Sequence, residues 1–440
     1  MSLLLAPDDA VVEERSSSPL QLDDQLHNGA NFLADSSSVA ESDWADTGSA
    51  QLIDFESTSV LKETVPVDAD KRSRRYQLID AVKGIAALVI MAHHITLYSP
   101  FTDLADEIAG PVTIPLYNYG PLVVQVFMVF GGFALAMALP NELNIRSMSR
   151  SLVARYLRLA APYLVTLGLV LIGWLVVGDQ MSHTMVEQLS LGQLVAHLFF
   201  LQDVLGYGNL SAGTWYLCID MQYIVLCLSV LCSATFMKQK LSLRASPVHM
   251  TGWFLAGLGT VSAWLWNLNS ANDCWVFYFL CTLVLGTLLG WATQRKCSTN
   301  LVAIYIGSLV VSQVMELRLR IVVGLITAGF VLFHTCGSVH PKVPRLLLWL
   351  GRISYSLFLI HYLVTSLVMH WLESWVGDSP TRAILAMVSS MIASLGAAWL
   401  LNWTVEQPLQ RQIRAWNKEN PDSNLVPRST GQERLAFCRS

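Results

Sequence analysis

Charge is scarce in this chain. Of 440 residues only 14% are Asp, Glu, Lys or Arg, against 53% hydrophobic, and the mean hydropathy is +0.46. Soluble domains carry about 25% charged residues, so this composition excludes a water-soluble globule and predicts a multi-pass membrane protein. Ligand-type cysteine spacing is absent too. The eight cysteines (218, 227, 232, 274, 281, 297, 336 and 438) form no CxxC or Cys/His pattern, and most lie in apolar segments where a thiol is a small hydrophobe. Neither a metal, a disulfide scaffold nor a bound cofactor is expected. The opening residues lack a signal-peptide apolar run, which leaves 77–98 to act as the first insertion signal.

What charge there is lies unevenly. Residues 1–70 carry 15 acidic and two basic side chains (Arg15 and Lys62), a net of −13, and the remainder is +9. That acidic, Ser-rich segment has no apolar periodicity and is expected to stay disordered, giving a tail over 1–75 that ends in the basic cluster KRSRR at 71–75. A membrane domain over 76–415 and a polar C-terminal tail over 416–440 complete the expected organisation.

The apolar runs predict an all-α bundle of about ten spans: 77–98, 114–139, 157–177, 214–237, 250–268, 274–294, 300–316, 320–335, 353–373 and 383–403. With KRSRR in the cytosol, alternation puts 19 Lys and Arg at cytosolic ends and three (Arg318, Arg320, Arg382) on the other side. The positive-inside rule favours that arrangement, with both termini cytosolic. The long connection 178–213 holds no Lys or Arg, and LGQLVAHLFFL (191–201) within it reads as a re-entrant or interfacial helix. Asn209 heads a glycosylation sequon, but it stands too close to the next span for a glycan to be expected.

The first span, QLIDAVKGIAALVIMAHHITLY, carries Asp80, Lys83, His93 and His94 inside a stretch that should cross a bilayer. Ionisable groups there are costly and face a protein interior or a watery cavity. Lys83 and His94 are eleven residues apart, about 1100° or three turns and 20°, so they share one face about 16 Å apart along the axis. Asp80 lies about 60° off that stripe and can pair with Lys83.

Other polar groups punctuate the later spans. Arg150, Arg155 and Arg158 read either as positive-inside residues or as a cytosolic anion site suited to a phosphate-rich donor such as a coenzyme A thioester. Asp220 and Gln222 enter the membrane within TWYLCIDMQY; Asp220 needs a partner there, and Gln222 can tie helices together. ISYSLFLIHY carries Ser354, Tyr355, Ser356 and His361, whose hydroxyls can be satisfied by nearby backbone while the histidine is harder to explain structurally. Glu406, just before Pro408, reads as a solvated carboxylate at a helix stop, and Gly131-Gly132 as a helix-packing pair.

Taken in order, these pieces resemble the acyltransferase 3 family of integral-membrane O-acyltransferases over residues 76–415. LIDAVKGIAALVIMAHH is similar to its LDGLRGIAA…H pattern, VFMVFGGFALA to FFxLSGF, and RYLRLAAPYL to RRxxRLxPxY. TWYLCIDMQY resembles WSLSVEEQFY, with Asp220 in place of the first Glu; ISYSLFLIHY and EQPLQR resemble the closing ISYSLYLWH and E-x-P elements. Lys83 stands where Arg is commoner and loses its bidentate fork but keeps the charge. The resemblance implies acyl transfer, acetyl being the expected group, from an acyl-CoA co-substrate to a hydroxyl on a small molecule or glycoconjugate, with a fungal secondary-metabolite enzyme as the closest analogy. On that view His94, Lys83 and Asp220 form the catalytic set, Arg150, Arg155 and Arg158 bind the donor, and Asp80, Gln222, Tyr355, His361 and Glu406 support them. His94 is expected to take the acceptor's proton and Lys83 to hold the thioester. No nucleic-acid partner is implied. The competing class is a transporter using the same charges as a relay, but no repeat relates the two halves of the sequence, as many transporters show.

Overall fold

The computed structural model describes residues 67–177, 189–336 and 342–419. The expected disordered segment therefore lies outside the described residues up to position 66, and the C-terminal tail lies outside them from 420. Every regular element among the described residues is helical. In chain order they are α1 (Val67–Tyr98), α2 (Thr102–Tyr119), α3 (Val124–Ala138), α4 (Ile145–Val177), α5 (Leu191–Leu198), α6 (Thr214–Leu241) and α7 (Pro247–Trp264). There follow α8 (Val276–Thr293), α9 (Thr299–Met315), α10 (Leu319–Cys336), α11 (Arg345–Val376), α12 (Pro380–Leu401) and α13 (Gln407–Glu419).

Seven stretches are long and apolar enough to cross a bilayer, against about ten expected. The three that fall short are α7, α9 and α10, the last two being shorter apolar helices. Helix α1 begins at Val67, so the basic cluster 71–75 already lies on it. The expected second span proves to be two helices, α2 and α3, joined by the 3-10 turn Gly120–Val123. Pro121 opens that turn, where its missing N–H and fixed φ interrupt an α-helical ladder. The re-entrant segment forms α5, whose N-terminus is capped by the Ser190 side chain accepting from Gln193 N.

The apolar core has two lobes. One gathers α3, α6, α7, α8, α9 and α10 with Ile79 and Ile90 of α1, and the other gathers the rest of α1 with α4, α11, α12 and part of α6. Phe127, Leu159, Tyr216 and Met221 border both, marking a seam along α3, α4 and α6. In the first lobe α8 is buried nearly all round, as a helix apolar on every face must be. Glycines decide how closely it approaches α3. A Cβ on Gly132 would strike the Leu283 carbonyl, one on Gly286 the Val129 carbonyl, and one on Gly290 would come within 2.9 Å of the Phe133 carbonyl.

The second lobe uses the same device. A Cβ on Gly84 would sit 2.6 Å from Gly351 N, and one on Gly351 would strike the Asp80 carbonyl, so the backbones of α1 and α11 touch there. Both helices then run in the same direction away from that contact. Below, the near side is the end where α1 begins.

On the far side, residues 199–213 close into a polar loop. Asn209 is its hub, donating to Asp203 Oδ1 at 2.7 Å and accepting from the Thr214 hydroxyl at 2.6 Å. Burial pushes the Asp203 carboxyl up to about 6; the Asn209 bond opposes the shift and the charge of Asp273 adds to it.

Two outcomes are expected from this packing. Gly286→Ala drives a methyl into the α3 backbone and should lower the melting temperature in detergent by the equivalent of about 1–3 kcal/mol or abolish folding. Gly168→Ala, where a Cβ meets nothing within 4 Å, should be neutral or slightly stabilising, and thermal-challenge gel filtration reads both. Asp203 holds its proton in the folded protein at pH values where the unfolded carboxyl, near 4, has lost it, so its contribution to stability falls as pH rises from about 4 to about 6. Asp203→Asn should remove about 1–3 kcal/mol of that pH dependence, measured as melting temperature against pH for both proteins.

Candidate active site

The α1 stripe meets α11 at two levels. Ten residues beyond the Gly84–Gly351 contact on each helix come His94 and His361, about 15 Å further along. Both side chains are buried, 4% and 0% exposed, and His94 Nδ1 lies 2.7 Å from His361 Nε2 with the rings stacked. His361 Nδ1 lies 2.9 Å from the Leu357 carbonyl, which only accepts, so that nitrogen carries a proton. With both rings neutral, His361 Nε2 then accepts from His94 Nδ1–H, and the lone pair of His94 is left on Nε2. That nitrogen has no hydrogen-bond partner among the described residues. His94 forms part of the wall of a small cavity completed by Ile90, His93, Pro121, Val124, Gly213, Trp215, Tyr216 and Phe358. His93 donates from Nδ1 to the Leu116 carbonyl at 3.0 Å, fastening α2 to α1.

Toward the near side lies a second polar group. Lys83 Nζ is 3.9 Å from Asp80 Oδ1 and lies over the Phe130 ring. Arg158 acts electrostatically on both Asp80 and Lys83, and Arg155 and Arg158 act together on Asp220. The three cations outnumber the two carboxylates. Arg155 and Arg158 form no hydrogen bond and no ion pair within 4 Å among the described residues, so their donors stay open to an anion. The arginines come close enough to Asp220 to act on its charge because α4 is 33 residues long and carries them several turns in from its near-side end. Arg150, at the outer end of α4, likewise has no partner among the described residues, and it joins neither carboxylate.

Tyr216 links the two groups. Its ring lines the cavity beside His94, and its hydroxyl donates to the Phe127 carbonyl at 3.3 Å. A Cβ placed on Gly131 would lie 3.3 Å from that hydroxyl and 3.7 Å from Asp220 Oδ1, so Gly131 leaves room where hydroxyl and carboxylate converge. Only its neighbour Gly132 serves helix packing. Sequence reasoning missed Tyr216, although it stands one helical turn before Asp220 on the same face.

The remaining residues have structural partners. Gln222 Oε1 accepts from Val276 N at 2.9 Å while Nε2 donates to the Cys274 carbonyl at 3.0 Å, so this amide caps α8 and ties it to α6. Tyr355 donates to the Leu159 carbonyl at 2.8 Å, and Ser354 to the Gly351 carbonyl. Glu406 corrects the expectation of a solvated helix stop. It is 6% exposed and accepts from Ser356 at 2.7 Å, Asn402 at 2.8 Å and Gln410 at 3.0 Å. The helix does not stop there either: α12 passes through a π-helical turn, Asn402–Glu406, directly into α13. The wider turn points the carboxylate at α11. Among the described residues no three of His, Cys, Asp and Glu gather as a metal site requires.

A buried imidazole with a free nitrogen, with a cation-rich group further along the same helix, is an arrangement for proton transfer beside an anionic ligand. No curated protein and no solved structure matches the chain. The acyltransferase-domain model of the acyltransferase 3 family matches residues 76–403, more than half of the sequence and the part that carries both groups. This chain belongs to the acyltransferase 3 family, and it is an acyl-transferring membrane protein.

Proposed function

We propose that the protein moves an acyl group from an acyl-CoA thioester to the hydroxyl of a small-molecule or glycoconjugate acceptor. The observation that carries this reading is the hydrogen-bond chain from the Leu357 carbonyl through His361 to His94, which leaves Nε2 of His94 as a base beside a cavity. The acceptor's O–H gives its proton to that nitrogen as the oxygen attacks the thioester carbonyl. When the tetrahedral adduct collapses, the C–S bond breaks and the departing thiolate takes the proton from His94. Ester and free CoA are the products, and the imidazole is returned neutral. His361 is a positioning residue in this scheme. It holds the ring plane and the tautomer of His94, and its lone pair stabilises the imidazolium formed midway.

Lys83, Arg155 and Arg158 hold the donor's phosphates at the near side. The spacing of about 16 Å between Lys83 and His94 is of the order of an extended pantetheine arm. The near side is the cytosolic one on the positive-inside argument, since the basic cluster 71–75 lies there with the donor. Asp220 offsets part of the charge of Arg155 and Arg158, and Tyr216 marks the path between the groups.

Membranes containing the protein, given labelled acetyl-CoA and a metabolite extract as acceptor, should form labelled ester. His94→Ala should cut the rate by about 100-fold or more. His361→Ala should lower kcat and shift its pH profile, while His361→Gln, whose amide oxygen accepts in place of Nε2, should restore part of the rate. Lys83→Ala should chiefly raise KM for the donor, and Lys83→Arg should not. Wild-type rates in both His94→Ala and Lys83→Ala would overturn the assignment.

A further inference from the structure

The cavity beside His94 has a shape that bears on the size of the group transferred, an inference that rests on the acyl-transfer reading above. Its volume is about 20 Å³, room for the centre of one water-sized group and little more. Apart from the two histidines, its walls are apolar or aromatic, and Ile90, Val124 and Trp215 are 2%, 6% and 5% exposed. These walls are fixed from behind. Trp215 packs on Phe279 of α8 at 5.5 Å between centroids, and Tyr216 is tethered through its hydroxyl to the Phe127 carbonyl. Phe358 is pressed between Tyr216, edge to face at 5.7 Å, and Gly213, whose φ of +82° and missing Cβ let the ring in; a Cβ there would lie 2.7 Å from Phe358 Cζ. Close-packed walls of this kind do not swell to admit extra methylenes without cost.

We propose that this cavity receives the acyl chain of the donor, and that Phe358 and Val124 limit it to a two-carbon group. A methyl fits the space described, and an apolar lining suits an alkyl chain better than a charged dicarboxylic one.

Acetyl-, butyryl-, hexanoyl- and octanoyl-CoA, offered separately with the same metabolite extract and with His94→Ala membranes as blank, test this. The wild type should favour acetyl over hexanoyl by at least about 100-fold in kcat/KM, the order of discrimination a tight apolar pocket gives per added methylene or two. Phe358→Ala should bring that ratio below about tenfold, and Val124→Ala should fall between. Should Phe358→Ala fail to fold, Val124→Ala and the wild-type profile decide alone. A wild type that accepts hexanoyl and acetyl equally, or folded variants with an unchanged chain-length profile, overturns the pocket assignment and leaves acyl transfer standing. Absence of His94-dependent ester from every donor overturns acyl transfer itself, and the pocket with it.

Discussion

The contact between Gly84 and Gly351 sets the geometry on which the site depends. Two helices lacking side chains at one level approach until backbone meets backbone. Because α1 and α11 run in the same direction from that point, equal steps of ten residues bring His94 opposite His361. Within a bilayer no apolar surface is gained by pushing helices together, so close backbone packing is a main source of such register. Without it the imidazoles, each on its own helix, have no reason to be at the same depth.

A second constraint is electrostatic. Five ionisable side chains on three helices, Asp80, Lys83, Arg155, Arg158 and Asp220, act on one another's charge, with Asp80 and Arg158 exposed and the others further in. Mixed signs make the group tolerable, and the surplus of cations gives it a preference for anions. The seam between the two apolar lobes is the place such a group can be housed. Tyr216, half in each lobe's boundary, is the side chain that spans from the charges to the histidines.

Periodicity made part of this legible. Lys83 and His94 share a face because eleven residues make three turns, and that needs no neighbour to be known. His361 stands out because an imidazole lies eight residues inside the apolar run that opens with ISYSLFLIHY. Which helix would meet which was not legible. That Arg155 and Arg158 reach Asp220 depends on the length and depth of α4, and the positive-inside rule explains those arginines equally well from sequence. Glu406 was read as solvated because Pro408 follows it, yet a proline in the first turn of a helix is tolerated, and the π turn before it could not be seen in composition. Ten spans were counted where seven helices qualify, because α7, α9 and α10 are apolar enough to be noticed and too short, or too little apolar, to be sure of crossing.

The paired glycine contact also decides how each wall of the chamber is held. Sliding α1 against α11 by one turn, about 5.4 Å, would break the backbone contact and the imidazole bond together, so that pair is locked. On the opposite side, Tyr216 is held by one hydrogen bond at 3.3 Å and by ring edges, and the residue before its helix is a glycine in a left-handed turn. The two histidine helices are therefore the frame of the chamber, fixed by backbone contact, while its α6 wall is fixed by side-chain packing.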